Sequence, residues 1–422
     1  MSPNHLDAGK SAETLCAERN QRIWDAVTLK KPDRVPLLMM AGYLLAEYGG
    51  ISNQTLQDDF EAGQAVLERF ALEFEPDNVT GPVMHPAAGL ALGDRMSAWP
   101  GHGLPEDGQF QFVENEFMKA EDYPAFLHDP SDWIIRTYLP RAFSKLEGFQ
   151  HLPPLGMWSY GIYCLDALAF YGAPGVREAI AALGEAMTAV AKRGGELIDS
   201  AVRLSALGIP PYFGAGSLIE APFDFMSDTM RGMRGIMLDM LRHPDQLLEA
   251  EARVFETQLE YALQFARVTG LKVASLPLHR GSDGFMSLTQ FERFYWPQLK
   301  QLLVALIDNG ITPFVFYEGA WDKRLEYLAE LPKGKSVGWF QKSDIFRVKE
   351  VVGDTMCVMG GMPNSLLTGG SVSEIRERTH QVCEIVGKGG GFIMGSNVGE
   401  MAGSKLENVR AWADATREFG VY

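Results

Sequence analysis

The 422-residue chain is 46% hydrophobic and 22% charged, and 38 Lys and Arg against 54 Asp and Glu give a formal net charge of -16. It has apolar residues enough for a large core, and the carboxylate excess argues against a nucleic-acid partner, which needs a basic surface. No run reaches the roughly 20 apolar residues of a membrane helix.

The opening MSPNHLDAGKSAETLC has no apolar h-region, and Cys16, Cys164, Cys357 and Cys383 lie far apart without a CxxC pair. A chain in the reducing cytoplasm, without a disulfide framework, is the expectation. Residues 1–30 read as a helical extension. Short apolar runs then alternate with helical stretches. The predicted strands are RVPLLMM (34–40), DNVTGP (77–82), GIPPYFGAG (208–216), KVASLPLH (272–279), TPFVFYEG (312–319), KSVGWFQ (335–341), MCVMGGMP (356–363) and GGFIMGSN (390–397). Turn residues bound the later ones, and amphipathic stretches such as WDKRLEYLAEL, with Leu325, Leu328 and Leu331 at helical spacing, lie between them.

Alternating strands and helices with near-continuous apolar strands predict a parallel sheet covered on both faces. Eight such units predict an α/β TIM (β/α)8 barrel, with an open doubly wound sheet as the alternative. Residues 95–150, with the Gly- and Pro-rich SAWPGHGLPEDGQFQFVENEF, break the rhythm and read as an insertion on a single domain spanning 1–422. Met226, Met230, Met233, Met237 and Met240 fall on one stripe of a helix, which reads as core.

Three stretches resemble the uroporphyrinogen decarboxylase superfamily. RIWDAVTLKKPDRVPLLM is similar to its Arg-rich helix and K-P-D-R-V-P entry to the first strand. SLTQFERFYWPQLKQLL (287–303) is similar to its S-P-x-x-F-x-x-F-x-x-P segment. GGMPNSLLTGGSVSEIRERTHQVCEIVGKGGGFIMGSN is similar to its late run ending in G-G-F-I. The resemblance covers roughly 20–420 and implies a TIM barrel that is commonly a dimer. The decarboxylase itself holds a polycarboxylate tetrapyrrole with arginines after strand one and an aspartate after strand two. The matching stretches here, MAGYLLAEYGG (40–50) and VTGPVMH (79–85), contain neither. Asp228 stands where the family has a tyrosine, and the region of Asn397 where it has a histidine. Uroporphyrinogen decarboxylation is therefore not expected.

The superfamily's other large branch is the corrinoid-dependent methyltransferases. Its thiol-methylating members hold zinc with His-x-Cys-Gly at a strand end and a later Cys. The matching positions here are Phe316-Tyr317-Glu318-Gly319 and Ser396 or Asn397, so the usual sulfur ligands of a zinc are missing. Any metal would fall to His279 and Glu318.

Barrel enzymes carry their chemistry at the carboxyl ends of strands. His279, Glu318, Gln341 and Asn397 stand there, with Arg280 and Asp283 in the loop HRGSDGF. Glu318 is either a rim carboxylate paired with Arg280 or Lys323, or an acid made less ionised by Phe314, Phe316 and Trp321 and placed to give or take a proton. His279 is either a structural histidine or its partner in proton transfer, with Asp283 to orient it or simply to make a turn. Tyr317, Trp339 and Trp158 are candidates to wall a flat substrate, and His102 in PGHGL a candidate ligand contact or a plain turn.

Joined to the resemblance, these groups lead to an expected function: a cobalamin-dependent, demethylating methyltransferase. It would move a methyl group from a small donor, such as a methoxylated aromatic, to a corrinoid protein. Glu318 or His279 would protonate the departing oxygen. No corrinoid-binding D-x-H-x-x-G is present, so the corrinoid would come on a partner. Two other readings stand beside it: a metal-free lyase or decarboxylase acting on a small aromatic acid or ketone, with Arg280 holding a carboxylate, and a ligand-binding barrel without catalysis.

Overall fold

A computed structural model describes residues 9–154, 158 and 164–422; the first eight residues of the expected extension lie outside the described residues. The chain divides into two compact units. One comprises residues 1–83, 198–222 and 255–422, and the other 84–197 and 223–254.

The first unit is built on eight parallel strands: β1 (Leu38–Met40), β2 (Asn78–Thr80), β3 (Ser217–Leu218), β4 (Val273–Leu278), β5 (Thr312–Tyr317), β6 (Val337–Phe340), β7 (Cys357–Met362) and β8 (Phe392–Ser396). The six strands from β3 to β8 lie side by side in chain order. A parallel bridge, Leu37 with Met394, joins β8 to the β1–β2 pair. The order is that of a (β/α)8 barrel. Between β2 and β3 no ladder is drawn among the described residues. There the Asn78 side chain donates to the carbonyls of Pro210 (3.1 Å) and Pro211 (3.0 Å) and accepts from the Phe213 amide (3.0 Å).

Seven of the predicted strands contain an observed one. The third does not: residues 208–216 run as loop and the strand follows at Ser217. Pro210 and Pro211 have no N–H to give a ladder. Gly216 lies so close to the next strand that a Cβ there would stand 1.9 Å from the Val273 carbonyl oxygen.

One face of the sheet gathers Leu38, Met40, Phe314, Trp339, Met359 and Ile393 into a single apolar cluster, which Ile23, Ala26 and Val27 of the N-terminal helix α1 (Ala12–Val27) complete. Ser11 caps α1 by accepting from the Thr14 amide. The same helix brings Arg22 to Asp33 and to the fully buried Asp77. Arg34 grips Asp77 bidentately at 2.6 and 2.9 Å, and the Leu37 amide donates to it at 2.8 Å. Burial alone would raise the Asp77 carboxyl, but the charges of Arg34, Arg22 and Arg19 outweigh it and hold the group far below the carboxylate range. This network sits at the amino ends of the strands, the end that reads as stability in such folds.

The second unit packs Leu146, Phe149 and Leu152 against Val176, Ala179 and Ala182 of α2 (Pro174–Ala206). Residues 95–150 belong to this unit. So does the methionine stripe, which is split: Met226, Met230 and Met240 are buried, whereas Met233 and Met237 are exposed. A wide turn over Met226–Arg231 precedes the α-helix Gly232–Arg242, and the change of pitch rotates the two middle methionines out of register. Among the described residues no helix is long and apolar enough to cross a membrane.

Candidate functional site

Strand alternation decides which side chains share a face. On β5, Phe314 and Phe316 pack into the inner cluster, so the next residue of the same parity, Glu318, continues that face beyond the strand's carboxyl end. His279 does the same after β4, because Leu278 pairs with Tyr317 in the register. The two side chains meet, with His279 Nε2 3.9 Å from Glu318 Oε2 and exposures of 29% and 40%. That is ion-pair distance and longer than a hydrogen bond, leaving room to tighten around a substrate. Two residues back on the same face, Phe316 packs against Trp339, the rings tilted by 32° with centroids 3.9 Å apart. Trp339 is fixed in turn by its indole N–H, which donates to the Ser396 carbonyl at 2.7 Å. The chain leaves β5 through Gly319, whose φ of 74° a side chain would resist. Its amide donates to Gln341 Oε1 at 2.7 Å.

The same alternation removes Tyr317 from the expected substrate wall. It points to the opposite face, stacked on Phe340 at 4.7 Å and edge-on to Trp321 at 4.9 Å, and is almost fully buried. Phe316, not Tyr317, lies on the face that Glu318 continues. Asp283 does not orient His279. Its carboxylate holds the buried Arg324 at 2.5 Å and accepts from the Lys323 amide at 3.1 Å, a bond set that shapes the loop after β5. Gln341 and Asn397 are rim lacing. Besides the bond to Gly319, the Gln341 carbonyl accepts from Asn397 Nδ2 at 2.9 Å, and Asn397 Oδ1 accepts from the Asn364 amide at 2.8 Å. Arg280 lies over the Phe285 ring at 5.4 Å. His102 and Trp158 belong to the second unit. His102 closes a tight turn with Trp99, and Trp158 stands edge-on to Tyr171 at 5.3 Å.

A further acid stands at the same end of the strands. Glu400 follows β8, next to Gly399, where a Cβ would touch the tip of the Trp339 ring at 3.4 Å. Glu400 Oε2 accepts from the Tyr43 amide at 2.8 Å in the loop after β1. A Cβ on Gly42 would stand 1.7 Å from that oxygen, so glycine is required there. Burial raises the carboxyl to about 7, and the Tyr43 bond offsets this only in part. The sequence signal, Gly-Glu just beyond the last strand, lies three residues past the point where strand reading stops.

No zinc-like donor set forms at this rim. Among the described residues no group of three or more His, Cys, Asp or Glu is placed to hold a metal, so His279 and Glu318 find no third ligand. The thiols of Cys357 and Cys383 are pushed up to about 12 by burial, and Cys357 opens β7 at its amino end.

The family model of uroporphyrinogen decarboxylase (URO-D) matches residues 186–419, more than half of the chain. The chain belongs to the uroporphyrinogen decarboxylase family. No curated protein sequence matches it. Among solved structures, a methyltransferase from Methanosarcina mazei superposes with a TM-score of 0.61 at 15% identity, over 95% of this chain and 98% of that one. At that identity the likeness is one of fold.

Proposed function

We propose that this member of the uroporphyrinogen decarboxylase family is a demethylating methyltransferase. It would take a methyl group from a small donor, such as a methoxylated aromatic, and pass it to a corrinoid carried by a separate protein in the cytoplasm. One observation carries the reading: a carboxyl and an imidazole 3.9 Å apart, at the carboxyl ends of adjacent strands, on the strand face that carries Phe316. We take the eight strands to close as a TIM barrel with this rim as its mouth. The likeness in fold to a methyltransferase supports the reaction class, and the four free cysteines suit a reducing compartment.

The rim fits a corrinoid borne by a partner better than a resident zinc, since it offers proton-bearing groups and no thiolate. The corrinoid, when present on its carrier, supplies the nucleophile that receives the methyl group. This chain's residues do the rest. Phe316 and Trp339 give a flat ring a surface to lie on. When the carbon–oxygen bond breaks, its electron pair stays on oxygen, and Glu318 or His279 delivers a proton to that oxygen. Glu400, whose carboxyl burial raises to about 7, can take or release a proton near neutral pH at the same end of the strands.

The test mixes the purified protein with a reduced corrinoid protein and a panel of methoxylated aromatics, following the visible spectrum. A donor-dependent shift to the methylated corrinoid is expected, and a flat trace across the panel overturns the proposal. Substituting Glu318→Gln should leave the fold intact and slow turnover by ~10²–10⁴; undiminished turnover would remove Glu318 from the mechanism.

A further inference from the structure

The end of the strands opposite to His279 and Glu318 holds a cavity of about 760 Å³. It is lined by α1, by the stretch 205–215 and by the turn 270–273 that leads into β4, all within the first compact unit. Its size is that of a small-molecule site. The wall is aromatic and firmly set. Trp24 of α1 stands edge-on to Phe213 at 5.3 Å between ring centroids. Tyr212 lines the cavity beside them, and its hydroxyl lies 3.7 Å from Met40 Sδ of the inner cluster. Pro210 and Pro211, whose rings fix φ, are held through their carbonyls by the Asn78 side chain at 3.1 and 3.0 Å. A wall already ordered in this way spares a ligand the cost of ordering it.

Among the described residues two charged side chains line the cavity, Glu13 and Lys272, and they are not equivalent. Glu13 lies in the first turn of α1, where the helix dipole favours a carboxylate. Lys272 is exposed, and among the described residues no carboxylate stands within ion-pair distance of it. In a chain with 54 acidic side chains against 38 basic ones, this ammonium group at the edge of an apolar hollow is left to an anion from outside. We propose that the cavity binds a small carboxylate with an apolar body, the body against Trp24, Tyr212 and Phe213 and the head group at Lys272. The site stands at the amino ends of β3 and β4 and takes no part in the methyl transfer proposed above.

Cys16 serves as a reporter, because it lines the cavity and is half-buried, whereas Cys357 and Cys383 are buried. In the full chain carrying Cys164→Ser, the rate at which the neutral reagent N-ethylmaleimide modifies Cys16 is followed while hexanoate, octanoate and decanoate are added as probes. The carboxylates should slow the labelling, with the half-saturating concentration falling roughly fourfold per added methylene. Ala17→Phe, at an exposed position on the same wall, should occupy the cavity and remove the protection. Lys272→Glu should turn the preference from decanoate to decylamine. Labelling that none of the carboxylates slows overturns the proposal. So does equal protection of the Lys272 protein by decanoate and decylamine, or protection that survives Ala17→Phe.

Discussion

Glu400 and Glu318 stand at the same end of the strands and differ in how much water reaches them. Glu318 keeps 40% of its side chain exposed beside His279, whereas burial raises the Glu400 carboxyl from an ordinary 4.5 to about 7. A group whose folded pKa lies above its unfolded one stabilises the fold fully below the unfolded value, and that contribution is lost as pH rises through the folded value. Wild-type protein should therefore lose melting temperature between pH 5 and 8 relative to Glu400→Gln. Parallel curves for the two proteins would mean that Glu400 is solvated. Alternation along two strands is enough to find Glu318 and His279 in the sequence, and applied consistently it also places Tyr317 on the other face. Glu400 is hidden for a different reason. Its character comes from a contact between residues 43 and 400, and no local pattern encodes a meeting across 357 positions.

The strands and helices were more legible than the rim. Apolar runs bounded by Gly and Lys announce β5 through β8, because a strand covered on both faces has little choice of composition. The third strand was displaced by two prolines that look apolar but cannot pair. The Arg22, Arg34 and Asp77 network was visible only as the K-P-D-R-V-P resemblance; its physical content is a buried carboxylate with two guanidinium partners and a backbone amide. Asp77→Asn leaves the buried Arg34 without its carboxylate, while Arg22 keeps Asp33, so a loss of about 3–5 kcal/mol in denaturant unfolding is expected. A change within 1 kcal/mol would show that water reaches the site. Asn78→Ala deprives the Phe213 amide and two proline carbonyls of partners and should cost about 1–3 kcal/mol by the same measurement.

For the whole molecule, the two ends of the strands differ in what they carry. The amino ends keep the Asp77 network, and the carboxyl ends present acid, imidazole and aromatic rings. Dialysis against a chelator should accordingly leave turnover and melting temperature unchanged, because the donor set at the rim is two groups deep. A loss of either, restored by zinc, would call for ligands other than His279 and Glu318.

The seam at Asn78 has one more consequence. From β3 to β8 neighbouring strands are buttoned by rows of backbone bonds, but among the described residues β2 and the segment before β3 are clasped by the Asn78 side chain. Deuterium should enter the amides of 78–80 and 213–218 well before those of 337–362, and the first partly undone form of this protein should be the same sheet, unrolled from that one edge.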